Sequence, residues 1–353
     1  MQGSVKAISD SIKSLSKQTG RKIRIMHVCG THEHTISKYN LRSLLPDEVE
    51  VIAGPGCPVC VCPAGDIDNM IMLAEAGYRI LTFGDMMRVP SSTISLQELK
   101  GRGYPADIIL GPQDAADFAR KHPSENFVFF CVGFETTAGP VAGTIMSQRP
   151  TNLFYYLSLR YVPKAVDLLL SSEIKNIDAL IIPGHASIMS GLRPYDEISG
   201  KYRIPSCVAG FEPEDVLLAL EQLLKSVASG DTSLHNVYSR AVKYEGNKKA
   251  ISVINTVFRR DETLWRGLGT LPGTGFFFNE DFKKLDISYI EKIPEPADTV
   301  QDPRCICTSI ILGRNKPREC PMFRKTCRPD RPMGPCMVSL EGSCRISYIY
   351  GVK

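Results

Sequence analysis

Short apolar runs alternate with helical patterns along the first two-thirds of the chain, and this alternation limits the fold more than any other feature. Runs at 23–28, 49–53, 79–83, 107–110 and 127–132 read as strands, and the segments 35–44, 66–76, 96–100 and 113–121 between them read as helices. Strands that are apolar throughout, with helices between them, belong to parallel sheets covered on both faces. A second set follows, with strands at 153–157, 179–182 and 207–209 and helices at 164–171 and 214–226. The crossovers are expected to be right-handed. A short echo links Cys131-Val132-Gly133-Phe134-Glu135 to Cys207-Val208-Ala209-Gly210-Phe211-Glu212, and a fainter one links residues 52–56 to 181–185. The expected class is therefore α/β: two similar parallel-sheet domains, 1–145 and 146–230, whose strand ends face a central cleft. Residues 231–353 form a third unit, a helical segment to about 260 followed by a small cysteine-rich domain.

Details at the edges follow from local pattern. Val5, Ile8, Ile12 and Leu15 fit one face of an amphipathic helix that Ser4 caps and Gly20 stops. Residues 268–275 read as a turn-rich loop, and 293–296 as a linker.

What the cysteines mean depends on where the chain works. Its net charge of +4 is spread along 353 residues without a dense basic block, so no nucleic-acid partner is expected. No apolar run reaches membrane-span length, so no membrane contact is expected, and the amino terminus lacks a signal-peptide pattern. A cytoplasmic protein is the expectation. There, clustered cysteines point to metal or redox chemistry rather than to stable disulfides.

The twelve cysteines fall into groups. Cys57, Cys60 and Cys62 lie in the stretch Gly54-Pro55-Gly56-Cys57-Pro58-Val59-Cys60-Val61-Cys62-Pro63, at the carboxyl end of a strand, where open α/β sheets place their chemistry. A Cys-x-x-Cys pair such as Cys57 and Cys60 can close a disulfide, hold a metal, or do both in turn. Cys305, Cys307, Cys320, Cys327, Cys336 and Cys344 lie among prolines, arginines and glycines, with no Cys-x-x-Cys knuckle and no histidine among them. Four thiolates from irregular loops suit a 4Fe–4S cluster, with structural zinc as the competing reading. Cys29 ends a strand and opens a helix beside His32 and His34. The helix dipole and a nearby imidazolium would favour its thiolate, and thiolate with imidazole makes a soft-metal ligand set. His32 and His34 equally suit capping or exposed positions, and His27 suits the core. Cys131 and Cys207 read as buried thiols in strands.

Polar residues gather at other strand ends. Glu135 and Thr136 follow the 127–132 run, His185 follows 179–182, and Glu212 follows 207–209. Glu135 and His185 are candidates for positioning a partner or moving protons, with Thr136 and Glu212 as accessory groups. Capping and turn formation is the plain alternative for each.

Cys29-Gly30-Thr31-His32-Glu33-His34, Gly54-Pro55-Gly56-Cys57-Pro58-Val59-Cys60, Gly133-Phe134-Glu135-Thr136-Thr137, Pro183-Gly184-His185-Ala186 and Cys336-Met337-Val338-Ser339-Leu340-Glu341-Gly342-Ser343-Cys344 together resemble the HypD family of nickel–iron hydrogenase maturation factors. The resemblance covers nearly the whole chain. It implies two α/β domains around a cleft and a third domain carrying a 4Fe–4S cluster. It also implies a scaffold, shared with a small HypC-like chaperone, on which iron receives one carbon monoxide and two cyanides. A HypE-like thiocyanate donor supplies cyanide, and the hydrogenase large-subunit precursor receives the product. Under the resemblance Cys29 matches the iron-binding cysteine, and Cys57 and Cys60 match the redox-active pair. Cys305, Cys320, Cys327 and Cys344 are taken as cluster ligands, with Cys307 and Cys336 as an extra redox pair. Cys62 and Gly139 depart from the family pattern. Cys62 stands as either an extra ligand or a bystander.

The competing functions are an iron–sulfur thiol–disulfide reductase acting on a protein substrate, and a zinc-stabilised interaction protein. The first explains the clustered cysteines but does not need Cys29.

Overall fold

The computed structural model describes residues 2–172, 176–298 and 302–351. The strands in chain order are β1 (Ile23–His27), β2 (Val49–Ala53), β3 (Arg79–Thr82), β4 (Ala106–Ile108), β5 (Phe127–Gly133), β6 (Leu153–Leu159), β7 (Ala179–Pro183), β8 (Ser206–Ala209), β9 (Leu234–Asn236), β10 (Phe258–Trp265) and β11 (Gly269–Phe278). They form a five-stranded sheet of order β2-β1-β7-β8-β9, a four-stranded sheet of order β4-β3-β5-β6, and a two-stranded hairpin, β10-β11. Every pairing within the two larger sheets is parallel. β5, β7 and β8 are buried along their whole length, as strands covered on both faces must be.

The α/β class and the two similar sheets match the sequence-based expectation, but the strands are distributed differently. The segment 1–145 feeds both sheets: β1 and β2 pair with β7, while β3, β4 and β5 join β6. β6, expected in the second domain, runs beside β5 from Phe127↔Leu153 to Gly133↔Leu159. The chain leaves the first sheet after β2, builds the second whole, and returns. Local periodicity marks strands but does not say which sheet a strand completes.

Both sheets share one topology. β2-β1-β7-β8 has the same order as β4-β3-β5-β6. In each, the first strand pairs with its sequence neighbour on one side and with a later strand on the other. The switch points lie between β1 and β7 and between β3 and β5. By this equivalence β5 corresponds to β7, so the Gly-Phe-Glu echo pairs β5 with the wrong strand, β8.

The helix Gln2–Thr19 lies against the helix Pro213–Ser229 and buries Ile8 and Ile12 with Leu217, Leu220 and Leu224. Each such side chain contributes about 1.5–3 kcal/mol of burial. Residues 231–260 are not one helical stretch. β9 extends the first sheet beyond β8, and the helix is confined to Lys248–Val257. Residues 268–275 are not a loop either. They form most of β11, turned back from β10 at Gly267 and Gly269, both at positive φ. Glycine and proline are tolerated there because a two-stranded ribbon has free edges.

The segment 302–351 contains short helices and turns. Its Ile310, Ile311, Phe323 and Met337 share one apolar core with Met26, Val28 and Ile52 of the first sheet. The helix Ser343–Tyr350 packs on the helix Gly30–Lys38, with Tyr350 Oη 3.2 Å from His34 Nε2. Among the described residues no helix is long and apolar enough to cross a membrane.

Candidate thiol centre

At the carboxyl ends of β1 and β2, three loops meet. The turn after β2 lies against the turn after β1: the Gly30 N–H donates to Gly56 O (3.0 Å) and the Gly54 N–H to His27 O (2.8 Å). A methyl group on Gly56 would sit 2.2 Å from Cys29 N and 2.3 Å from Cys29 Cα, so only glycine permits this approach. On its other side Gly30 meets Glu341, whose Cβ would lie 2.4 Å from an added Cβ. Glu341 Oε1 accepts from Thr31 Oγ1 (2.9 Å). The next residue back, Leu340, donates its N–H to Asp85 Oδ2 (3.4 Å), beyond β3 of the second sheet. The closing loop thus touches the segments that follow β1 and β3, one in each sheet.

These contacts enclose one cavity. Cys29, Cys57, Cys60, Cys336 and Glu341 line it, with His27, Glu33 and Ile311. Cys57 and Cys60 are joined as a disulfide across the four-residue helix Pro58–Val61, their Cα atoms 5.3 Å apart. Cys57 Sγ accepts from the Cys60 N–H (3.1 Å).

Cys29 does not match the electrostatic expectation. Burial pushes its thiol up to about 12, and the Glu341 carboxylate adds to the rise. The Thr31 and His32 N–H groups pull the other way but are outweighed. The expected imidazolium is missing, because burial holds His32 down at about 3. His32 Nε2 lies 3.0 Å from Gly210 O, and its ring stacks on Phe211. Burial therefore favours the neutral thiol at Cys29. Glu33, bonded to His27 and to Arg42, is held well below the usual carboxylate range despite its burial.

A second pocket adjoins the first. All six carboxy-terminal cysteines line it, with Ile310, Met322, Phe323 and Met337 as apolar wall. Cys336 lines both pockets. The neighbouring Cys307 and Cys344 thiols and burial leave its own thiol well above the usual range. Cys327 Sγ accepts from the Met333 N–H (3.5 Å) and Cys336 Sγ from the Cys344 N–H (3.3 Å). A methyl group on Gly334 would lie 3.2 Å from Cys305 Sγ. Among the described residues no three His, Cys, Asp or Glu side chains gather closely enough to hold one metal ion.

The other candidates stand outside the first cavity's lining. Glu135 opens the helix Glu135–Ser147 at the second sheet's switch point, buried, with Oε1 accepting from the Val162 N–H (3.0 Å) and Oε2 unpartnered. Thr136 is exposed on that helix, whose N-cap is Phe134, and Gly139 and Pro140 lie within it. His185 is exposed and stacks on Phe211 at 3.9 Å between ring centroids. Glu212 is exposed and caps the helix Pro213–Ser229, and His34 packs on Tyr350. Glu341 was not singled out from the sequence. Its only signal is its place three residues before Cys344.

Glu135 gives a pH-dependent prediction. Burial raises its carboxyl from 4.5 to about 8. The folded state thus holds this proton more tightly, and the associated stability is full below pH 4.5 and lost as pH rises through about 8. Glu135→Gln, which keeps the acceptor for Val162, should change little at pH 5. At pH 9 it should stabilise by about 5 kcal/mol, the rise from 4.5 to about 8 being worth about 1.4 kcal/mol per pKa unit. Urea melts at the two pH values check this.

Fold and site together define a cysteine-centred α/β protein: two parallel sheets bridged, beyond β1 and β3, by a thiol-rich carboxy-terminal segment. The sequence profile described as "Hydrogenase formation hypA family" (HypD) matches residues 3–351. A putative hydrogenase expression/formation protein of Methanocaldococcus jannaschii is 44% identical over 349 residues, covering 98% of this chain and 97% of the relative. The hydrogenase maturation factors HypD of Escherichia coli and Cupriavidus necator are 37% and 38% identical, covering 98% and 94% of this chain and 94% and 90% of those proteins. The chain belongs to the HypD family of hydrogenase maturation factors.

Proposed function

We propose that this chain is a scaffold on which an iron ion, as cargo, receives cyanide and carbon monoxide for a nickel–iron hydrogenase. Cys29 is the iron's protein ligand, and Cys57 and Cys60 are the adjacent electron donor. The carrying observation is that all three cysteines line one small cavity. Low-spin iron bearing cyanide and carbon monoxide needs soft donors, and thiolates are such donors. A HypC-like chaperone supplies a second thiolate, a HypE-like partner brings the thiocyanate, and the hydrogenase large-subunit precursor takes the product.

Freeing cyanide from a thiocyanate breaks the S–CN bond and consumes two electrons and two protons. The donor's sulfur leaves as a thiol, and cyanide is released as hydrogen cyanide, which takes the second proton. Cys57 and Cys60 supply both electrons and both protons as they close their disulfide. Glu341, which lines the same cavity and acts electrostatically on Cys29, is the carboxyl that accepts the thiol proton when iron binds.

The second pocket fits a 4Fe–4S cluster. All six thiols of the segment line it, its walls are apolar, and the Met333 N–H donates to Cys327 Sγ. Cys305, Cys320, Cys327 and Cys344 would hold it, leaving Cys307 and Cys336 as a neighbouring thiol pair. When bound, such a cluster supplies single electrons. A plain thiol–disulfide reductase would use the same pair but leaves the buried Cys29 without a task.

Cys57→Ala, co-expressed anaerobically with the small partner, should retain iron but acquire cyanide at least tenfold more slowly. Cyanide loading at the wild-type rate would contradict the electron-donor role.

A further inference from the structure

Cys62 belongs to the same stretch as Cys57 and Cys60, yet it lines neither thiol pocket. It is fully buried, and its thiol points into a polar cluster. Cys62 Sγ lies 3.6 Å from Asp66 Oδ2 and 3.4 Å from Ser158 Oγ. Ser158 Oγ donates to Asp66 Oδ2 (2.5 Å), and Tyr156 Oη donates to Asp66 Oδ1 (2.9 Å). Arg160 donates to Ser158 Oγ (2.7 Å) and sits 3.7 Å from Asp66 Oδ2. Ser158 and Tyr156 belong to β6 of the second sheet. The backbone at this point is pinned as well. Arg266, at the hairpin turn, donates its N–H to Val61 O (2.8 Å) and its Nε to Cys62 O (2.6 Å).

The helix carrying the disulfide is thus held at both ends. Gly56 fixes its start against Cys29 of the first sheet. Cys62 fixes its end against the second sheet and the hairpin. We propose that Cys62 is a positioning residue, neither ligand nor redox partner, whose thiol anchors the carboxyl end of the Pro58–Val61 helix and so sets the reduction potential of the Cys57–Cys60 pair. The inference rests on Cys57–Cys60 being a redox pair, but not on what that pair reduces.

The physical link is effective concentration. Reducing the disulfide takes two electrons and two protons and frees both sulfurs. The better the chain holds the two thiols together when reduced, the more the disulfide is favoured. Releasing the helix end lets them spread. The oxidised form then loses its advantage, and the potential rises.

The test is equilibration of the full-length protein in dithiothreitol redox buffers at pH 7. Trapping with an alkylating agent and mass spectrometry then reads Cys57 and Cys60 separately from the other thiols. Cys62→Ala should shift the thiol–disulfide constant about tenfold toward the dithiol, equivalent to about 30 mV for a two-electron couple. Cys62→Ser, which keeps a donor for Asp66, should restore it to within about threefold of wild type. Ser158→Ala, which leaves Cys62 in place but removes one of its partners, should shift it in the same direction as Cys62→Ala. Wild-type constants in both alanine variants, or a serine variant shifted as far as alanine, would overturn the proposal. A wild-type pair that does not titrate in these buffers would overturn the redox reading itself, and this inference with it.

Discussion

Gly56→Ala is expected to take the thiol centre apart while leaving most of the sheets folded. The added methyl would stand 2.2–2.4 Å from Cys29 N, Cys29 Cα and Val28 C, all backbone atoms. No side-chain rotation relieves that contact, so the turns after β1 and β2 must separate. The Gly30-to-Gly56 hydrogen bond goes with them. Overpacking of this kind costs about 3 kcal/mol when the neighbour cannot give. Gly143→Ala is the control. It lies in the helix Glu135–Ser147, and its added Cβ meets nothing within 4 Å, so the change should be neutral or stabilising by up to about 1 kcal/mol. Urea denaturation gives the energies. Alkylation of Cys29 reports the opening of the cavity and should rise at least tenfold in Gly56→Ala only. Equal stability for the two variants would mean that the close approach of the two turns is not required.

Cys29→Ala should have the largest functional effect. Cys29 lines the cavity as a free thiol, outside the Cys57–Cys60 disulfide. Its thiol is held neutral by burial, so an iron ion must displace the proton to bind, with Glu341 alongside. Removing the sulfur removes the protein's only proposed donor to the cargo iron, and a second thiolate from a partner cannot hold it alone. The substitution leaves the Gly56 contact untouched, since that contact is to Cys29 backbone. The variant should therefore fold and bind its partners while carrying no cyanide-bearing iron.

The α/β class, every strand of the two large sheets except β9, and the thiol groupings were legible in the sequence. Fully buried strands such as β5, with Phe127-Val128-Phe129-Phe130-Cys131-Val132, announce themselves by unbroken apolarity. Glycine-framed turns mark where strands end. What periodicity could not show was which sheet a strand joins, because the chain leaves the first sheet after β2 and returns at β7. It also could not show that 231–260 and 268–275 hold strands, because β9 and β11 are edge elements whose residues are only partly buried. At the site, Cys29, Cys57 and Cys60 were visible from strand-end position. Three hundred residues separate them from Glu341 and Cys336, so only tertiary structure reveals that these share their cavity. From sequence, a helix dipole and a nearby imidazolium were expected to favour the Cys29 thiolate, with capping or exposure as the equal alternative for His32 and His34. Burial reverses both, leaving a neutral imidazole beside a neutral thiol.

The central claim is that Cys29 holds the iron on which cyanide and carbon monoxide assemble. Infrared spectra of the protein purified anaerobically with its small partner test it most directly. The wild-type complex should show bands of metal-bound cyanide and carbon monoxide, and the Cys29→Ala complex, purified at equal yield, should show none. The same bands in both complexes, or their absence from the wild type, would contradict it.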